Sequence, residues 1–224
     1  MLVAIEGIDG AGKGTLARNL LVRADAAGLK AASLSFPRYD ETCFSRLIAQ
    51  YLNGRFGQVD EVPVRFAALL YAGDRFESRE RLADLIAGHA LVILDRYVAS
   101  NMAYNAAKLP AAERDELIGW LDETEFGIFG LPRPDLTCLV ATRPETADDL
   151  VGRKGARSYT AAARDLHEAD RPFMTRVAEV YEALAAREPD RWLRVDPADA
   201  GGALRSPDAI ADEVWQALAP RLQG

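Results

Sequence analysis

Three glycines, Gly7, Gly10 and Gly12, stand directly ahead of Lys13. Residues without a Cβ let consecutive backbone N–H groups curl around an anion. A helix starting at the lysine would add its unpaired donors and the positive end of its dipole. The chemistry suggested is phosphate binding, with Lys13 supplying a full charge. The usual motif places Ser or Thr next, to hold Mg²⁺. Here Gly14 takes that place and Thr15 follows it. Further residues suited to anions and planar rings recur along the chain. They are Phe36-Pro37-Arg38-Tyr39, then Tyr71, Asp74, Arg75 and Ser78, then Asp95-Arg96-Tyr97 with Ser100, Asn101 and Tyr104. Arginine binds phosphate oxygens in pairs through its planar fork. Late in the chain come Arg153 and Arg157 in a glycine-loosened basic segment, then Asp165 and Glu168. Those two carboxylates, with Asp9, could surround one Mg²⁺, a cation that takes oxygen ligands. His167 beside them reads as a helix-surface or packing residue rather than a ligand.

These groups need elements to hold them. Leu2 to Ile5 is a short apolar run, and helical spacing follows from Thr15, so the glycines join a strand to a helix. Lys30 to Phe36 reads as a second strand, Leu91 to Leu94 as a third, Leu136 to Ala141 as a fourth and Trp192 to Val195 as a fifth. The continuous apolar run 91–94 fits a parallel sheet buried on both faces. Helical patterns run between the strands: about 13–27, 44–52, 60–87, 111–126, 161–186 and 207–222. In the long 60–87 pattern Phe66, Leu69, Leu70, Gly73 and Phe76 form one stripe. Tyr71, Asp74, Arg75 and Ser78 share another face, readable as a base slot or as solvated ion pairs. Tyr97, Ser100, Asn101 and Tyr104 line one face of the helix after the third strand, which suits a ligand wall. Strands alternating with helices predict α/β architecture with a parallel sheet, and ligands bind outside the carboxyl ends of such strands.

The 224 residues suit one domain, 1–224, with a basic lid at about 150–164. A net charge of −7 argues against general binding of nucleic acid or anionic membranes. Cys43 and Cys138 lie too far apart in sequence to suggest a disulfide framework or a zinc site. Leu2 to Ile5 is too short for a signal-peptide core and no run reaches membrane-spanning length, so a cytoplasmic protein is expected.

In their order, Gly7-x-Asp-Gly-x-Gly-Lys13, Phe36-Pro-Arg38, Asp74-Arg75, Asp95-Arg-Tyr97 with Ser100-Asn101 and Tyr104, Leu131-Pro-Arg-Pro-Asp135 and the late acidic pair resemble the bacterial thymidylate kinase family over nearly the whole chain. The resemblance implies the P-loop nucleoside monophosphate kinase fold, a five-stranded parallel sheet flanked by helices, and a homodimer. It implies transfer of phosphate from ATP to dTMP with Mg²⁺. Gly7, Asp9, Gly10, Ala11, Gly12, Lys13, Gly14 and Thr15 would bind ATP. Arg38, Tyr39 and Arg96 would hold the dTMP phosphate. Arg75 and Asn101 would read the base, Tyr71 and Phe36 would line it, Ser100 would help form the pocket, and Tyr104 would exclude a 2′-hydroxyl. Asp9 would lie near the sugar and the metal, which Asp165 and Glu168 would share. Lys13, Asp9, Arg96 and the lid residues Arg153 and Arg157 would carry catalysis. Two alternatives stay open: a kinase for another nucleoside monophosphate or a deoxynucleoside, and a non-enzymatic nucleotide switch. The Asn-Lys-x-Asp motif with which GTPase switches read guanine is not found.

Overall fold

A computed structural model describes residues 1–57, 61–151, 171–199 and 201–222. Arg153, Arg157, Asp165, His167 and Glu168 lie outside the described residues.

Five strands form one wholly parallel sheet: β1 (Leu2–Glu6), β2 (Ala31–Ser35), β3 (Leu91–Asp95), β4 (Leu136–Val140) and β5 (Trp192–Val195). Their order is β2-β3-β1-β4-β5. In register, Ile5 stands beside Asp95 on one side and Cys138 on the other. The central strands are largely apolar up to their carboxyl ends because helices cover both faces, and β1 and β4 are buried at every position. The helices are α1 (Lys13–Ala26), α2 (Cys43–Leu52), α3 (Val64–Glu77), α4 (Arg79–Gly88), α5 (Val98–Ala106), α6 (Ala111–Asp122), α7 (Pro144–Val151), α8 (Arg171–Arg187) and α9 (Pro207–Leu222). A π-helical turn, Glu123–Ile128, extends α6. No helix among the described residues is long and apolar enough to cross a membrane.

Two expectations change. The pattern over 60–87 is two helices, not one, broken at Ser78. The Ser78 hydroxyl donates to the Asp74 carbonyl at 2.7 Å, a bond of the kind that bends helices. Nor is the apolar stripe of α3 its buried side, since Phe66 is 67% and Phe76 42% exposed. Ala67, Ala68, Ala72, Asp74 and Arg75 face inward, together with Gly73 of the expected stripe. The small residues permit close approach to α2; a Cβ on Gly73 would fall far inside contact distance of the Phe44 ring. Asp74 and Arg75 tolerate burial because each has partners waiting. Asp74 accepts from the Thr42 hydroxyl at 2.5 Å and from the Arg38 N–H at 2.9 Å. Arg75 meets Glu125 on the π-helical turn.

Candidate active site

The glycine loop leaves the carboxyl end of β1. Gly7 has φ of 142°, and a Cβ there would stand 2.7 Å from the Val140 carbonyl oxygen, so the neighbouring strand itself demands glycine. Gly12 caps α1 in the left-handed region. Lys13, the first residue of α1, is buried and turns back on its own loop. Its Nζ donates to the carbonyls of Gly7 at 3.0 Å and Ile8 at 2.7 Å. Burial, and next Arg96, push its pKa down to about 8 against the opposing pull of Asp9, Asp95 and Glu6.

Arg96 follows β3 in a left-handed conformation, φ 69°. Its guanidinium pairs with Asp9 and lies over the Tyr104 ring, 5.4 Å from the centroid. Asp9 also accepts from the Tyr104 hydroxyl at 2.7 Å, while the Asp9 N–H donates back to that oxygen at 3.1 Å. Burial works against charge on Arg96. Asp9, Tyr104, Tyr181 and Asp95 outweigh it, so the guanidinium titrates well above its ordinary range.

What fixes this turn is Glu6, fully buried at the end of β1. One carboxylate oxygen accepts from the N–H groups of Tyr97 (2.8 Å) and Ser100 (3.2 Å). The other accepts from the hydroxyls of Ser100 (2.5 Å) and Tyr181 (3.0 Å). Helix α5 has no side-chain cap of its own at Tyr97, so Glu6 supplies one from another strand. Burial raises the Glu6 pKa, with Ser100, Arg96, Tyr97 and Tyr181 holding it back.

Loop, β3 turn, α3 and α5 enclose a cavity of about 500 Å³, ample for a nucleotide. Asp9, Gly10, Gly12, Lys13, Gly14, Phe36, Tyr39, Tyr71, Arg75, Arg96, Ser100, Asn101 and Tyr104, scattered over 96 positions of sequence, line this one space. Gly7, Ala11, Thr15 and Arg38 do not line it. Gly7 underlies the loop, Ala11 is buried, and the Thr15 hydroxyl accepts from Arg18 at 3.2 Å. Arg38 turns aside to Ser78 (3.1 Å) and Glu41, leaving its buried Nε with no partner among the described residues.

For a metal, the described residues hold no group of three carboxylate, histidine or cysteine side chains. Both oxygens of Asp9 are engaged. Asp95 fits better: it lines the cavity, and its Oδ2 lies 3.2 Å from where a Gly14 Cβ would be. A carboxylate oxygen thus faces the place where the usual motif puts a hydroxyl, and such a donor suits Mg²⁺.

Sequence reasoning passed over Glu6, Asn105, Lys108, Glu125 and Tyr181. Some signals were there. Asn105 and Lys108 continue the polar face of Asn101 and Tyr104 by one turn, and Glu125 stands four residues beyond Leu121 in the buried row Leu117, Leu121.

A parallel sheet with a glycine loop at its central strand, a buried lysine and arginines around one cavity has the P-loop nucleoside monophosphate kinase fold. Comparison with known proteins narrows the class. A family model described as thymidylate kinase matches residues 5–203. Thymidylate kinases from two Mycobacterium tuberculosis strains are each 39% identical over 213 residues, 93% of this chain and 99% of theirs. One from Xanthomonas euvesicatoria is 35% identical over 226 residues, covering 100% of this chain and 87% of the relative. The solved structure of thymidylate kinase from Candida albicans superimposes with a TM-score of 0.74 at 24% identity, over 98% of this chain and 91% of that one. The chain belongs to the thymidylate kinase family.

Proposed function

We propose that the protein transfers the γ-phosphate of ATP to dTMP, giving dTDP, by direct in-line displacement. One observation carries this: a single cavity holds the glycine loop with Lys13, the phosphate-type cation Arg96 and the planar-ring group Tyr71, Arg75 and Asn101. The acceptor needs no strong base, since a phosphate monoester with a second pKa of about 6 is largely dianionic at neutral pH. The barrier lies in bringing two anions together while charge spreads over the transferred group, so catalysis is positioning plus supplied positive charge.

Lys13 exchanges the Gly7 and Ile8 carbonyls for donor phosphate oxygens. Arg96, held by Asp9 and the Glu6-capped turn, takes the acceptor phosphate, with Tyr39 beside it. Arg38 reaches that phosphate by leaving Glu41. Tyr71 and Phe36 flank the thymine, Arg75 and Asn101 read its edge, Ser100 completes the wall, and Tyr104 crowds the sugar's 2′ position. Bound Mg²⁺ would neutralise charge on the donor oxygens; Asp95, with Asp9, Asp165 and Glu168, would hold it. Arg153 and Arg157 of the lid bring further positive charge to the transferred group. The chain acts as one domain in the cytoplasm, as a homodimer; exposed Phe66 on α3 supports self-association.

ADP formation should be measured with ATP and, in turn, dTMP, dUMP, dCMP, UMP and thymidine. A clear preference for dTMP is expected. Preference for another acceptor favours the sister-kinase alternative, and no acceptor-dependent turnover favours a nucleotide switch.

A further inference from the structure

We propose that Glu125 is a positioning residue that sets the donor–acceptor polarity of the base-reading pair Arg75 and Asn101, so that the slot selects 4-oxo over 4-amino pyrimidines. The proposal rests on the reading of this cavity as a nucleotide slot.

Glu125 belongs to the π-helical turn and is fully buried. Its carboxylate grips Arg75 through Nε (2.5 Å) and Nη2 (2.7 Å). That leaves Nη1 as the guanidinium nitrogen with no partner among the described residues. Oε1 also accepts from Asn101 Nδ2 at 2.8 Å, and the same nitrogen donates to the Ala68 carbonyl at 3.0 Å.

Two acceptors on one nitrogen decide which end of the amide is which. Turned the other way, Asn101 Oδ1 would face a carboxylate and a carbonyl, with no proton between them. The far end agrees. Lys108, a pure donor, gives a hydrogen bond to Asn105 Oδ1 at 3.0 Å. Asn105 must therefore present Nδ2 onward, and it donates to Asn101 Oδ1 at 2.7 Å. From Lys108 to Glu125 every bond runs donor to acceptor in one direction.

What Arg75 and Asn101 have left for a ligand is then fixed: the Nη1 donor and the remaining lone pair of Oδ1. A 4-oxo pyrimidine presents a carbonyl acceptor and an N3–H donor, which match. A 4-amino pyrimidine presents an amino donor and an N3 lone pair, which oppose both. Sites that leave polar groups mispaired reject analogues on the order of 10⁴-fold. An irregular helical turn at such a place accords with the frequent siting of π-turns at functional sites. Here it brings onto α5 and α3 a carboxylate distant from both in sequence.

The test is kcat and KM of Glu125→Gln for dTMP, dUMP and dCMP. A carboxamide has one acceptor oxygen for the three donors Arg75 Nε, Arg75 Nη2 and Asn101 Nδ2, so its NH₂ must oppose at least one of them. The expected result is a parallel rise in KM of ten- to a hundredfold for dTMP and dUMP. Activity on dCMP should hold or rise, so the dTMP:dCMP ratio falls at least tenfold, with KM for ATP unchanged. A merely structural role would depress all three acceptors together. Glu125→Asp keeps the charge opposite Arg75 and serves if the glutamine variant does not fold; being one methylene shorter, it releases Asn101 and should lower the ratio in the same direction. A folded variant with the wild-type ratio overturns the proposal. A wild-type protein that ignores dTMP overturns the slot reading itself.

Discussion

Replacing Glu6 by alanine is the sharpest probe of how the acceptor side is held. Four donors converge on this carboxylate: the N–H groups of Tyr97 and Ser100 and the hydroxyls of Ser100 and Tyr181. In Glu6→Ala the two hydroxyls, 2.9 Å apart, can pair with each other. The two N–H groups cannot, because they open α5 and have no other cap. A buried donor left unpaired costs about 1–3 kcal/mol, so the pair costs about 4 kcal/mol. For a chain of this size each kcal/mol lowers Tm by about 2–4 °C, giving a fall of about 8–16 °C. Glu6→Gln keeps an oxygen for both N–H groups and turns its NH₂ to the hydroxyl oxygens, so it should cost no more than about 1.5 kcal/mol. Scanning calorimetry of the three proteins measures the difference. Function should follow, since Arg96 stands at positive φ inside the turn that Glu6 fixes; Glu6→Ala should raise KM for dTMP more than KM for ATP. An alanine variant melting within 2 °C of wild type, or a glutamine variant as damaged as the alanine one, would refute the capping argument.

Lys13 has a pKa of about 8 in the free protein, set chiefly by burial and then Arg96 against Asp9, Asp95 and Glu6. Phosphate stabilises its charged form, so ATP binding should take up a proton above pH 8 and weaken by about tenfold between pH 7 and 9. Calorimetric titration at pH 8.5 in buffers of different ionisation enthalpy reads the uptake, and zero uptake would contradict it. Arg96→Ala should lower kcat on the order of a thousandfold in rapid-quench turnover, as for other cations at phosphoryl-transfer sites; a loss under tenfold would remove Arg96 from the transition state. Gly73→Ala gains helix propensity of about 1 kcal/mol but drives a methyl into the Phe44 ring at about 1–3 kcal/mol. A net loss of stability is expected in urea unfolding, and a more stable variant would show that the ring swings away freely.

Neighbours in sequence were legible. The strand, glycine turn, lysine and helix of residues 2–26 lie in one stretch, so composition and spacing sufficed for them, as they did for Asp95-Arg96 at the end of an apolar run. Periodicity also located all five strands to within one or two residues. It misjudged α3, because an apolar stripe marks the buried side only when the polar side lacks buried partners. Asp74 and Arg75 have them in Thr42 and Glu125, 32 and 50 positions away.

The sequence alone determined the phosphate loop, the parallel α/β class and the family likeness, since these depend on local backbone conformation and on residues in a fixed order. Only the tertiary structure decided that Asp9 holds Arg96, that Glu6 caps α5 and that Glu125 orders the base-reading pair. Those partners stand 87, 91 to 94 and 24 to 50 residues apart. A charge can be buried only where another part of the chain brings its counterpart, and no local pattern records which part that will be.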